Sequence, residues 1–491
     1  MPTVPYEAFP FCGPTYQALS PVVDGQRCIN WYPEKAVEPG AKTPVALIPR
    51  PGLSLFGTIG SGPIRALWAG NNRLFCVSGD HVYEVSPTLG TVITDFGAIP
   101  GAVAPTSPCQ FVSNGQQLLM MDSSTAKIYY INPVGPAVTQ VFQGFSLDYL
   151  DTFFFALSST VQNTVNQSDS LDGGTWNALN YATVTGTQDL KTRIIVVNNL
   201  LWVMGANNIE VWYNTGSAGF VLARMNNGTL NVGVQGGYGT TAALTAVRVR
   251  NTLLWMGADE RGWGKFWRAD GLSPVQISTP GIEALVQSYG NVSNPSSFAE
   301  EYNGHIFYVT NFPNANSGVG ATLVYDLTTG FWHERTYNNS GTEQRARPSC
   351  FASLQGNSFS APKNFVGDYS NGNIYLQSYS ATQDNGVDII YTRTAPHVSN
   401  QNRWTLHRSL TLDGAFGTST PTLAYSNDGG VNFSTPANMQ VRGTLAGDGV
   451  KTFQAYQLGR SRDRVYRVKI TTDQAPKVSA ADLAIEAGSE G

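Results

Sequence analysis

The 491-residue sequence predicts an all-β protein. One observation is compositional: 51 glycines, 11% aromatic residues and only 13% charged residues, the last about half the usual share. That mixture suits many short strands joined by tight turns. A second is the lack of any long stretch with helical periodicity. The third is a loose internal repeat in which an apolar run follows a turn signal. Together they predict a β-propeller of six or seven irregular blades. It carries an extended N-terminal arm (1–60), a repeat region (61–385) and an additional C-terminal β-rich domain (386–491).

The repeat reads NNRLFCV from Asn71, NGQQLLMM from Asn114, DTFFFAL from Asp151, NNLLWVMG from Asn198, NTLLWMG from Asn251, NGHIFYV from Asn303 and NGNIYLQ from Asn371. A large apolar residue stands four positions after each opening Asn or Asp: Phe75, Leu118, Phe155, Trp202, Trp255, Phe307 and Tyr375. Asn tolerates the left-handed backbone of a tight hairpin, and the run behind it reads as a strand buried on both faces. Further strands follow most copies, among them HVYEV, KIYYI, IEVWY, KFWRA and LVYDL, giving a meander of about four strands per unit. The copies are 43, 37, 47, 53, 52 and 68 residues apart, and propeller blades recur at about 40–50. An irregular array of sandwiches is the other arrangement this spacing allows.

Before residue 60, Pro2, Pro5, Pro10, Pro14, Pro44, Pro49 and Pro51 mark an extended arm with few ladder donors. After residue 385, RWTLHRSLTLDG and RVYRVKITTD alternate as strands. Between them SNDGGVNF, from Ser426, matches the Asp-box hairpin of several propellers, and SLDGGTW from Ser170 is a shorter cousin. In such hairpins the Asp ties down the turn and the aromatic packs beneath, which is structural work.

The sequence offers little chemistry. It has no phosphate-binding loop, nucleophile elbow or H-E-x-x-H helix. Its five histidines (His81, His305, His333, His397, His407) are scattered, and its five cysteines form no C-x-x-C, which argues against a zinc site and a disulfide framework. Glu300 and Glu301 are neighbours, so on a strand they face opposite ways and cannot share one glycosidic bond; Asp148 and Asp151 read as caps of a short turn. No catalytic residue, metal ligand or cofactor is expected. The N-terminus lacks a secretory signal's basic and apolar regions, and no run of about 18 apolar residues suggests a membrane span. A net charge of −4 does not suit a protein that grips DNA by its phosphates. In GRSRDRVYRVKI, Arg460, Arg462 and Arg464 share one parity, so on one strand they would line one face and suit a subunit contact.

The blocks GPTYQALSPVVDGQRCINWYPE, from Gly13, and KTPVALIPRPGL, from Lys42, carry a resemblance. They resemble the N-terminus of the packaged-DNA stabilisation proteins of short-tailed bacteriophages. The pattern is matched by Asp24, Gln26, Arg27, Cys28, Asn30, Tyr32, Pro33 and Glu34, and the closing LGRSRDRVYRVKITTD is similar too; PRPGL departs from the family's Thr-Pro-Gly form. The resemblance implies a structural virion protein, the tail hub or nozzle. Six copies would form a tube below the portal and its head–tail adaptor, assembled in the host cytoplasm. Such a tube retains packaged double-stranded DNA with a needle or plug, conducts it during ejection, and carries tailspikes or fibres. QRCINWYPE would then dock a neighbour: Trp31 and Tyr32 as anchors, Cys28 as a small buried hydrophobe, Arg27 and Glu34 paired together or with a partner. Two other readings are a carbohydrate- or receptor-binding propeller and a glycoside hydrolase.

Overall fold

The computed structural model describes residues 6–36, 43–103, 105–187, 189–236, 241–259, 262–356, 361–444 and 450–487. Seven four-stranded antiparallel sheets stand around an axis. Their first strands are Ile64–Gly70, Cys109–Ser113, Gly144–Leu150, Lys191–Val197, Val247–Val249, Ser296–Tyr302 and Pro348–Leu354. Each packs beside the next, and the seventh returns to the first, so the ring is closed. The fold is a seven-bladed β-propeller.

The apolar runs explain how blades stack. Adjacent residues on a strand point to opposite faces, and both faces of a blade are covered by its neighbours. In the third blade Phe154 meets Leu119 and Met121 of the second, while Phe155 meets Leu201 and Trp212 of the fourth. In the fourth, Leu201 faces back and Trp202 faces forward to Trp255 and Trp267 of the fifth. The turns behave as their residues require: Asn71, Asn72, Asp151, Asn198, Asn199 and Asn303 all take positive φ. In NGQQ the left-handed residue is Gly115, and before NTLLW it is Arg250.

The seventh repeat copy is displaced. The first six runs are the second strands of their blades, but Asn373–Ser378 is the third strand of the seventh. The second strand there, Lys363–Asp368, follows Pro362, and the sequence between it and Leu354 contains no Asn-Gly pair. That accounts for the 68-residue interval.

The fourth strand of the seventh blade comes from the opposite end of the chain. Gly52–Thr58 pairs antiparallel with Asn373–Ser378 and closes the ring. The strands before it build a second layer structure with the C-terminal region. One sheet contains Trp31–Lys35, Val45–Pro49, Lys477–Ala487, Thr405–Ala415, Val450–Ser461 and Gln440–Thr444. The facing sheet contains Gly25–Ile29, Val387–Ser399, Asp463–Thr472 and Thr422–Ser426. Phe11, Trp31, Leu47, Tyr391, Leu410, Phe453, Tyr466 and Val478 fill the space between them. The arm and the C-terminal domain expected as separate units are therefore one β-sandwich. Proline does not prevent this: Pro33 sits in the strand that ends the first sheet, with only one ladder partner.

Closure gives a direct test. Leu53 on the closing strand is 3% exposed and Leu55 is 48% exposed. Leu53→Ala is expected to lower unfolding stability by about 2–5 kcal/mol and Leu55→Ala by less than about 0.5 kcal/mol, read from chemical denaturation midpoints. Equal effects would contradict a ring closed by this strand.

Candidate functional site

The opening block lies where the two bodies join. Gly25–Ile29 runs in the second sheet of the sandwich, paired with Val387–Ser399 on one side and, through Ile29, with Glu334 of the sixth blade on the other. At Asn30 the backbone turns left-handed, with φ 62°, and Trp31–Lys35 continues in the other sheet. Asn30 is buried, and its amide is fully used. Oδ1 accepts from Arg50 Nε at 2.8 Å and Thr336 N at 2.9 Å; Nδ2 donates to Ile390 O at 2.7 Å and Thr336 Oγ1 at 2.9 Å.

Charged pairs surround this pivot. Arg27 holds Glu334 with two hydrogen bonds, 3.0 and 2.5 Å long; Glu334 lifts the guanidinium pKa above its ordinary value. Arg50 grips Asp384 in the same bidentate way at 2.9 and 2.5 Å. Arg335 pairs with Glu300 at 2.5 Å, and Gln377 Nε2 donates to the other Glu300 oxygen at 2.9 Å. Arg393 is fully buried and, among the described residues, pairs with no carboxylate: it donates to the carbonyls of Phe11 (2.5 Å), Pro14 (2.9 Å) and Arg27 (3.3 Å) and to Gln26 Oε1 (2.6 Å).

The residues expected at a subunit interface divide. Trp31 is 0% exposed, packs against Tyr391 with ring centres 5.2 Å apart and tilted by 40°, and donates from Nε1 to Pro476 O at 2.6 Å. Tyr32 packs on His305 and Phe307 and meets the Tyr379 hydroxyl at 2.5 Å. Both are anchors, but within the chain. Cys28 is buried, and desolvation pushes its thiol up to about 12. Arg27 pairs with Glu334 rather than Glu34, which is exposed.

The arginine parity fails because the strand ends. Val450–Ser461 stops before Arg462, and Asp463–Thr472 begins after it. Arg460 and Arg462 are exposed and lie over Trp404, with guanidinium carbons 4.7 and 5.1 Å from its ring centre. Arg464 is buried, donating to Leu458 O and, at 2.8 Å, to Asn427 Oδ1.

Other sequence candidates fall into structural positions. Asp428 is held at about 2 by the Ser426 hydroxyl, which donates to it at 2.5 Å, then by the Asn432 amide at 2.9 Å and side chain and the Val431 amide at 3.1 Å. This hairpin belongs to the sandwich, whereas its cousin sits in the third blade, where Trp176 stacks at 4.6 Å on Phe142. Glu300 is buried and Glu301 exposed beside Arg250. Asp151 is in a turn, but Asp148 lies within the inner strand Gly144–Leu150, not at its cap. Among the described residues no cluster of His, Cys, Asp and Glu could hold a metal, and no helix is long and apolar enough to cross a membrane. Arg50, Asp384, Glu334 and Arg393 were missed. The one signal was an arginine inside the apolar run VALIPRPGL.

Taken together, these features define a class: a closed propeller fused to a sandwich by buried ionic and amide contacts. The family model described as bacteriophage P22 Gp10, β-propeller, matches residues 34–380. The chain belongs to that family, the phage packaged-DNA stabilisation propellers, and is a phage structural protein. No curated protein matches it. Its fold is similar to the N-terminal domain of Nup159, at 12% identity and TM-score 0.42, covering 71% of this chain and 97% of that one. It is also similar to the Neurospora crassa Pan2 WD40 domain, at 9% identity and TM-score 0.41, covering 66% and 95%.

Two outcomes are expected here. Trp31→Ala should lower unfolding stability by about 3–5 kcal/mol in the isolated protein; an unchanged melting temperature with weakened assembly would restore the docking reading. The second concerns acid. His407 is held down at about 4 by burial and Arg464, and His333 well below its ordinary value by burial, Arg335 and His305. The unfolded chain takes up these protons near pH 6.5, so their contribution is present above that pH and is lost as pH falls toward 4. His305, raised by its hydrogen bond to Asp326, acts in the opposite sense. The melting temperature should fall between about pH 7 and 4.5, less steeply in His407→Gln; a flat profile would refute this.

Proposed function

We propose that the chain is the subunit of a tail hub, or nozzle, that retains packaged DNA in the virion and conducts it during ejection. Family membership over residues 34–380 is the observation that carries the reading. Six copies would form the tube below the portal and head–tail adaptor, with a needle or plug at its mouth and tailspikes or fibres outside. A tube must keep its shape under a pressurised genome, and the fused propeller and sandwich suit that demand. A conduit must also let the duplex slide: an overall charge of −4 supplies no excess of cations for counterion release.

The exposed edge formed by Arg460, Trp404 and Arg462 is the surface we assign to a subunit contact. Both guanidinium groups lie over the Trp404 ring at the surface, where their forked donors suit a partner's carboxylates. Light scattering of the purified protein mixed with its cognate portal–adaptor complex should show addition of about six chains. Arg460→Glu with Arg462→Glu should abolish that addition and leave the melting temperature unchanged. A monomer or trimer that ignores the complex would sink the nozzle reading. Addition undiminished in the double variant would reject the assigned edge.

A further inference from the structure

The axis of the propeller is not filled. Inner strands of all seven blades line a cavity of about 520 Å³, within the range of small-molecule sites. Its wall mixes apolar groups such as Phe111, Ile195 and Phe298 with four charged residues: Arg65, Asp148, Arg193 and Arg248.

Their hydrogen bonds separate these charges. Arg65 is spent, since it pairs with Asp122 between the first two blades and donates to Ser107 O and Gly79 O at 2.6 and 3.1 Å. Asp148 has both oxygens engaged by backbone amides, Val196 N at 2.7 Å and Tyr149 N at 2.8 Å. Arg193 and Arg248 remain. Arg193 is only 7% exposed, yet its one hydrogen bond is from Nη1 to Gln110 Oε1 at 2.6 Å; its Nε is buried and unpartnered. Arg248 has one long bond, from Nη1 to Val196 O at 3.3 Å. Among the described residues neither forms an ion pair, so two guanidinium groups share the field of one occupied carboxylate.

A guanidinium desolvated without a counter-ion is unfavourable by several kcal/mol. Elsewhere in the chain buried guanidinium groups have counter-charges or several acceptors: Arg50 and Arg335 have carboxylates, though Nε and Nη2 of Arg335 stay unpartnered, and Arg393 has four acceptors. Of the channel pair only Arg193 is desolvated in this way; Arg248 is exposed, and both line an open volume. We propose that the axial channel binds a small oxyanion, a carboxylate or a phosphate group, on Arg193 and Arg248. Forked donors match both groups, and the mixed polar and apolar wall leaves open volume beside them. The inference is independent of how copies assemble.

The test is titration calorimetry of the full-length protein with inorganic phosphate and, separately, with acetate, in chloride buffer of matched ionic strength. Saturable binding of one equivalent of either anion is expected, and the anion preferred identifies the source. Arg193→Gln should abolish it. Because Arg193 is buried and that variant could misfold, Arg248→Gln is the second arm: Arg248 is exposed, and its loss should weaken binding at least tenfold with the melting temperature retained. Arg460→Gln, outside the channel, should leave affinity unchanged. Absence of saturable binding for both anions, or undiminished binding in Arg248→Gln, would overturn the assignment.

Discussion

The side-chain amide of Asn30 is the contact on which the architecture turns. Four hydrogen bonds tie it to Arg50, to Thr336 behind the sixth blade and to Ile390 of the sandwich. Its backbone adds two more, donating to Glu334 O and accepting from Arg50 N, each at 2.9 Å. The residue must also adopt positive φ so that the chain can leave one sheet and enter the other. Asn tolerates that backbone better than other non-glycine residues. Glycine would accept the turn and lose the amide; Asp would offer no donor for Ile390. The site demands both properties at once.

The ionic contacts around Asn30 are better understood as specifying geometry than as adding stability. A buried pair such as Arg50–Asp384 loses hydration on both sides, and the Coulombic gain does little more than offset that. Removing one partner is different, because the other is left charged and dry. Each pair therefore penalises arrangements in which the propeller and sandwich shift relative to each other. Arg50–Asp384 and Arg27–Glu334 join segments about 300 residues apart in the chain, so they hold only when closing strand, sixth blade and sandwich are all in place. Propeller closure is coupled to sandwich formation by the same stretch, since Pro51 alone separates Arg50 from the closing strand.

How much of this was legible follows from the range of the interactions. The blades were readable because each is local: a turn of Asn or Asp and an apolar run express themselves within a dozen residues. The seventh blade was misread where its turn chemistry lapsed, at Pro362. Asp148 was read as a cap because two carboxylates near a turn look alike in sequence, and only the strand assignment separates it from Asp151. Arg460, Arg462 and Arg464 were assigned one face by parity, an argument that holds only within a single strand. QRCINWYPE was conspicuous for good reason, but its partners lie at Glu334, Tyr379, Tyr391 and Pro476. No local pattern encodes that, and an unusual aromatic-rich block far from its partners in sequence looks the same whether it meets another chain or its own.

That ambiguity resolves into a general consequence for this fold. The block most suggestive of a binding motif is consumed internally, with its aromatics and cysteine in the core and Arg27 held by Glu334. What remains outside is chemically plainer: Arg460 and Arg462 over Trp404, and the exposed apolar side chains Leu19, Val22, Val23 and Val431, of which Val22 lies beside the Asp-box turn at Gly429. Under the proposed function, substitutions on such exposed surfaces would alter contacts with neighbours and leave the fold intact. The pivot at Asn30 has no such freedom, because altering it would misplace every surface at once.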